Sequence, residues 1–139
     1  YQQYIGSDDV LLVADGTYNL LRQSKAALVT SGTATLETAL FGVPQVVCYK
    51  GNALSFWLAK KLVKVKYISL VNLIMDKELV RELIQDELNE SNLKEELHKL
   101  LQDQAYLQYL GKEYAQLWHK LGDSNASDTA ASEIISLIS

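Results

Sequence analysis

One cysteine, one proline and two histidines among 139 residues remove several kinds of chemistry at the outset. Cys48 has no second cysteine to pair with inside the chain, and no Cys/His spacing suits a zinc site. It lies in the apolar run Gln45-Val46-Val47-Cys48-Tyr49 and reads as a buried, inert thiol in a reducing compartment. No apolar run approaches the ~18 residues of a membrane span, and no signal peptide is visible. His98 and His119 both fall in the helical last third, where each reads as a solvated helix residue, not a triad member. Asp8-Asp9 reads as a solvated turn, so no metal is expected. Internal repeats and low-complexity tracts are absent as well. Global disorder is excluded, because 48% of the residues are hydrophobic and only 22% charged. The chain opens at Tyr1 in a polar stretch and reads as a fragment of a longer protein.

The net charge is −4, but its distribution says more than its sum. Residues 45–75 hold five lysines (Lys50, Lys60, Lys61, Lys64, Lys66) and no acid, within an otherwise acidic chain. Such an island invites an anionic partner. The first two thirds alternate short apolar runs with helical patterns. Strands are expected at Val10–Ala14, Ala26–Thr30, Val46–Lys50 and Tyr67–Leu70, with helices at Thr17–Ser24, Ala34–Phe41 and Ala53–Val65 between them. Gly42 and Pro44 stop the second helix. This alternation predicts parallel βαβ units with helices on both sheet faces. The last third changes character, with helical periodicity over Asp76–Glu87, Asn92–Leu101, Ala105–Leu121 and Ala126–Ile138 and no strand pattern between them. The fold class is therefore α/β, a partial doubly wound parallel sheet over residues 1–88 followed by a helical extension over 89–139.

Val29-Thr30-Ser31-Gly32-Thr33-Ala34-Thr35-Leu36-Glu37 carries the strongest chemical signal. It reads as the end of a strand, a tight turn and the start of a helix. A helix N-terminus offers unpaired N–H groups and a positive dipole end to a phosphate. Gly32 lets the backbone approach that anion closely. Glu37 lies about one pitch on, ~5.4 Å along the axis, where a carboxylate could accept bonds from two ribose hydroxyls. An ordinary N-cap would use the same residue types, so the neighbouring turns decide. Asp15-Gly16, Ser31-Gly32-Thr33, Lys50-Gly51-Asn52 and Val71-Asn72 all fall at the C-terminal edge of the expected sheet, where open parallel sheets bind ligands.

The order Ser31-Gly32-Thr33-Ala34-x-Leu36-Glu37, then Gly42-Val43-Pro44-x-Val46-Val47-x-Tyr49-Lys50, resembles lipid-A-disaccharide synthase. So do Phe56-Trp57-Leu58-Ala59-Lys60-Lys61-Leu62-Val63-Lys64, Tyr67-Ile68-Ser69-Leu70-x-Asn72-Leu73 and Glu82-Leu83-Ile84-Gln85. The resemblance implies the later part of the Rossmann-like, donor-binding C-terminal domain of a GT-B glycosyltransferase. That family joins UDP-2,3-diacylglucosamine to 2,3-diacylglucosamine 1-phosphate, forming the β-1,6 disaccharide of lipid A and releasing UDP. It works without a cofactor or metal, in the cytoplasm at the inner membrane, and nucleic acid is no partner. Family logic gives Glu37 to the ribose, Ser31, Gly32 and Thr33 to the diphosphate region, and Asn72 and Gln85 to the cleft. Lys50 stands where an arginine is usual, which turns a bidentate phosphate grip into a point charge. Val71 replaces a usual proline and Lys77 a usual arginine.

The resemblance also implies that the acceptor domain with its carboxylate base, and the first strands of the donor domain, are outside this chain. Donor binding without turnover is the expectation for the fragment. The Ala53–Val65 helix reads as packed on the sheet by Leu54, Trp57, Leu58, Leu62 and Val65, with snorkelling lysines. Phe56, Lys60 and Lys64 could meet anionic lipid or an acyl chain, making the protein peripheral to the membrane. Leu107, Leu110, Tyr114, Leu117 and Leu121 fall at helical spacing in the tail, where an unpartnered face predicts a homodimer. Two other functions fit the residues less closely: another GT-B enzyme using UDP-GlcNAc (epimerase or peptidoglycan N-acetylglucosaminyltransferase), and a non-catalytic α/β interaction module.

Overall fold

The computed structural model describes residues 10–30, 32–51 and 66–122. Ser31, the basic helix expected over Ala53–Val65 and the last helix over Ala126–Ile138 lie outside the described residues. Among the described residues three strands, β1 (Ala27–Thr30), β2 (Gln45–Tyr49) and β3 (Arg81–Ile84), form a parallel sheet in the order β1-β2-β3. The register places Val29 beside Val47, and Val47 beside Glu82. Successive residues of a strand face opposite sides. Val46 and Val47 are both 0% exposed, so β2 is covered on both faces. Among the described residues β1 stands at the edge of the sheet: Val29 is buried while Leu28 is 47% exposed.

Among the described residues five α-helices surround the strands: α1 (Thr17–Gln23), α2 (Thr33–Leu40), α3 (Leu70–Met75), α4 (Glu90–Gln102) and α5 (Gln104–Leu121). The end of α2 follows from its sequence. Gly42 takes φ +72° and donates its N–H to the Ala39 carbonyl at 2.9 Å, and Pro44 prevents continuation. Side-chain caps begin the later helices: Ser69 accepts from Asn72 N, Asn89 from Asn92 N and Asp103 from Tyr106 N. α4 packs on β2 and β3, and α5 lies against α2 and α3. The fold is α/β, a partial Rossmann-like parallel sheet with a helical tail.

The tail is docked by two kinds of contact. Leu110, Tyr114 and Leu117 recur at helical spacing and join the core with Val46, Val47, Val71 and Leu83. Around them, Tyr114 Oη donates to the Val43 carbonyl (3.4 Å), Trp118 Nε1 to Leu40 (3.3 Å) and Lys120 Nζ to Ile74 (3.2 Å). Leu40 and Ile74 stand in the last turns of α2 and α3, whose carbonyl groups have no partner within their own helix. α5 therefore caps two other helices with its side chains. Lys77 Nζ adds an ion pair to Glu113 at 2.6 Å. The side-chain bond from Glu113 leads the causes that raise the Lys77 ammonium above its usual range.

Tyr106 Oη donates to the Leu79 carbonyl at 3.3 Å. Burial, and then the Glu96 carboxylate, push its phenol up to about 12. The neutral form is thus favoured in the folded state. Its contribution is complete below pH ~10 and is lost as pH rises toward about 12. Alkaline titration of stability should show a fall of about 1–2 kcal/mol across that window, discounted for the ring's partial exposure. Tyr106→Phe should flatten the fall in urea melts at pH 9 to 12. An unchanged slope would assign it to other groups.

Four expectations are corrected. Val10–Ala14 is not a buried strand: Leu11 is 85% exposed, and no strand among the described residues pairs with it. An apolar run cannot bury itself without a neighbour on its ladder. Tyr67–Leu70 is not a fourth strand either, because Ser69 caps α3 and the backbone donors there bond to a side chain, Glu82. With that strand gone, Val71-Asn72 is a helical turn in the interior and not a loop at the sheet edge. Finally, Asp76–Glu87 is no helix. α3 ends at Asp76 (φ +51°) and the next residues build β3. Leu79, Val80 and Leu83 suit both periods, and burial between layers selects the strand.

Candidate functional site

Because all three strands run parallel, the segments that follow them share one edge of the sheet. Gly32 and Thr33 follow β1, Lys50 and Gly51 follow β2, and Gln85 follows β3. Gly32 is the N-cap of α2, with φ +128° and ψ −161°, a region essentially reserved for glycine. It supplies no side-chain cap, and Gly32 and Thr33 are exposed. The Gly32 carbonyl points the other way, accepting from Thr35 N (3.2 Å) and Thr35 Oγ1 (2.8 Å). A helix start of this kind leaves donor groups facing outward, as an anion site requires.

A Cβ built on Gly32 meets nothing within 4 Å, so alanine there would be penalised by backbone strain alone. Gly32→Ala should lower stability by about 1–3 kcal/mol, read from the urea midpoint. A neutral substitution would show that the turn relaxes freely.

Glu37 lies one turn into α2, half-buried, and its carboxylate has no hydrogen bond or ion pair among the described residues. It borders an open groove of about 530 Å³ shared with Asp15, Thr17, Tyr18, Asn19 and Arg22. Tyr18 stacks on Phe41 at 5.3 Å, and the Arg22 guanidinium lies 6.0 Å from the same ring. These contacts fix the wall that α1 presents to Glu37. Tyr18, Asn19 and Arg22 carry no signal of their own in the sequence. Their spacing along α1 puts them on one face, but nothing in one chain says that this face meets α2.

At the other end of the edge, Gln85 adopts φ +53°, unusual for its residue type. Its Oε1 accepts from Gly51 N at 3.3 Å, while its Nε2 is buried and without a partner among the described residues. A Cβ on Gly51 would stand 2.7 Å from the Tyr49 hydroxyl, so a larger residue in the turn after β2 would have to displace the Tyr49 ring. Lys50 is exposed and forms no ion pair among the described residues.

Asn72 is placed elsewhere. It is fully buried, and its side chain is saturated within the protein: Nδ2 donates to Val80 O and Glu82 Oε1, both 2.8 Å, and Oδ1 accepts from Leu79 N (2.8 Å) and Val80 N (2.9 Å). Ser31, Phe56, Lys60 and Lys64 lie outside the described residues. Cys48 is free and half-buried, and burial pushes its thiol up, away from the reactive thiolate. Among the described residues no cluster of His, Cys, Asp and Glu could hold a metal, and no helix is long and apolar enough to cross a membrane.

The lipid-A-disaccharide synthetase family matches residues 2–134 of this chain. The lipid-A-disaccharide synthase of Actinobacillus pleuropneumoniae serotype 5b (strain L20) is 45% identical over 118 residues, covering 83% of this chain and 30% of that protein. That of Hahella chejuensis (strain KCTC 2396) is 42% identical over 137 residues, or 99% and 34%. The Geobacter sulfurreducens enzyme is 32% identical over 130 residues, or 94% and 34%. The chain thus spans about a third of the length of the curated relatives it matches.

Proposed function

The chain belongs to the lipid-A-disaccharide synthetase family, and from that premise we propose that it supplies the nucleotide-binding part of a glycosyltransferase donor site in lipid A biosynthesis. The donor is UDP-2,3-diacylglucosamine and the acceptor 2,3-diacylglucosamine 1-phosphate. Residues 1–88 carry the donor half and 89–139 the helical extension. The observation behind this reading is the unpartnered Glu37 carboxylate beside an open groove, one turn from a helix start that only glycine can make.

In this reading Glu37 accepts bonds from the two ribose hydroxyls. Ser31, Gly32 and Thr33 meet the diphosphate through backbone N–H groups. Lys50 adds positive charge, and Gln85 closes the cleft from β3. Asn72 enters as a support for β3, since its side chain has no capacity left for a ligand. These groups serve the leaving diphosphate, whose developing charge is stabilised by fixed donors and a cation. Sugar transfer also needs a base on the acceptor hydroxyl, and none of these residues is placed for that task. The chain alone therefore binds without turning over. Phe56, Lys60 and Lys64, which lie outside the described residues, are assigned by this reading to contact with anionic lipid or an acyl chain at the cytoplasmic side of the inner membrane. Any homodimer uses surfaces other than the Leu110-Tyr114-Leu117 face, which the chain's own core occupies.

Titration of the chain with UDP, followed by amide NMR shifts, tests the reading. Shifts should concentrate at Gly32, Thr33 and Glu37. Glu37→Ala should weaken binding by roughly 30- to 150-fold, or about 2–3 kcal/mol, through loss of a charge-assisted bidentate contact, with little change in stability. Affinity within twofold of the wild type would remove Glu37 from the site. Complete absence of UDP binding would favour the interaction-module reading.

A further inference from the structure

Gln85 combines two anomalies at the sheet edge. Its backbone is left-handed, and its side-chain N–H2 is buried without a partner among the described residues. A strained conformation persists only where its surroundings over-determine it. Three residues upstream, on β3, the Glu82 carboxylate is buried and takes four hydrogen bonds. Oε2 accepts from Ile68 N at 2.9 Å, and Oε1 accepts from Ser69 N (3.0 Å), Ser69 Oγ (2.7 Å) and Asn72 Nδ2 (2.8 Å). Asn72 in turn holds Leu79 N, Val80 N and Val80 O. The start of α3 and the start of β3 are thereby locked to one carboxylate. The far end of β3 then delivers Gln85 onto Gly51 N, beside Lys50.

We infer that Glu82 is a positioning residue for the donor site. Its buried carboxylate sets the placement of β3, and so holds the Gln85 amide toward the turn that follows β2. It touches no ligand and acts through Gln85. The inference rests on the nucleotide-site reading for its purpose, but not for its geometry. A carboxylate buried in this way costs solvation, which its four donors offset. A hydrophobic residue could join the strand to the core more simply, whereas a charge-assisted cluster fixes direction as well as distance.

Two substitutions grade the lock. In Ser69→Ala one of the four donors is lost. In Glu82→Gln a donor nitrogen replaces an acceptor oxygen among four donors. The chain without ligand comes first, observed by NMR beside Leu21→Ala, a variant destabilised on α1 and far from the lock. At equal global stability, Glu82→Gln and Ser69→Ala should move the Gln85 side-chain amide signals and speed Gly51 N–H exchange about tenfold more than Leu21→Ala does. Unmoved Gln85 signals, with Gly51 exchanging no faster than in Leu21→Ala, would overturn the inference. UDP affinity is then measured in a double-mutant cycle. Glu82→Gln should weaken binding about tenfold in the wild type and hardly at all when Gln85 is already alanine. Additive losses would overturn action through Gln85. Should Glu82→Gln fail to fold, Ser69→Ala enters the same cycle. If the wild-type chain takes no UDP, the nucleotide reading fails, while the ligand-free measurements still decide the positioning.

Discussion

Asn72→Ala should destabilise the chain by about 3–5 kcal/mol, among the largest losses available to a single substitution in it. The side chain bonds four groups at 2.8–2.9 Å: Leu79 N, Val80 N, Val80 O and Glu82 Oε1. Alanine would leave two buried backbone donors and one acceptor without partners. Each unsatisfied group costs about 1–3 kcal/mol, and solvent entry would recover part of the total. Asn72→Asp is the informative companion. It preserves the two acceptor contacts but puts a second carboxylate beside Glu82, so it should be nearly as damaging. Urea unfolding followed by circular dichroism measures both. A loss under ~1 kcal/mol for alanine would mean that α3 and β3 are held by their apolar contacts alone.

Leu117→Ala should cost about 2–5 kcal/mol, the range for removing a fully buried leucine side chain. Leu117 is completely buried where α5 meets the core. The consequence extends past one cavity, because α5 is also held by the polar contacts of Tyr114, Trp118 and Lys120 with the ends of α2 and α3. Loosening the helix exposes those carbonyl groups together with Val46 and Val71. Calorimetry should show a lowered midpoint, and light scattering should show growth in mass that the wild type lacks. A monodisperse variant of wild-type stability would mean that α5 is an ornament on a sheet that folds without it.

How much of the fold is readable from residues alone depends on where the deciding force acts. α2 and its stop at Gly42 and Pro44 are legible because the signals are local: backbone freedom, ring closure and a short apolar face. β1 and β2 are legible as apolar runs between turns. β3 is not, since Arg81-Glu82-Leu83-Ile84 carries a charge at a buried position that only a distant Ser69-Asn72 partner makes tolerable. The same partner turns Tyr67–Leu70 from an expected strand into a capped helix start. Within the candidate site, Gly32 and Glu37 announce themselves by spacing. Arg22 and Asn19 share a groove with Glu37 only because α1 and α2 adjoin, which no pattern in α1 encodes. The tail's apolar face is legible as a face, but its occupant is not: Leu110, Tyr114 and Leu117 are taken up by this chain's own core, with α2 and α3 against the helix.

The docking of α5 has a further consequence for the order of events during synthesis. Its side chains reach back to carbonyl groups at Leu40, Val43, Ile74 and Leu79. A ribosome releases the chain from its N-terminus, at roughly 5–20 residues per second. All three strands therefore leave the exit tunnel while the ends of α2 and α3 still lack their caps. β1–β2 and β2–β3 pairing already demands long loop closures, which slow folding. The sheet then waits some seconds more for the helix that seals it. In that interval Val46 and Val71 lack the cover of α5 on a nascent polypeptide, the state in which a chaperone would find most to hold.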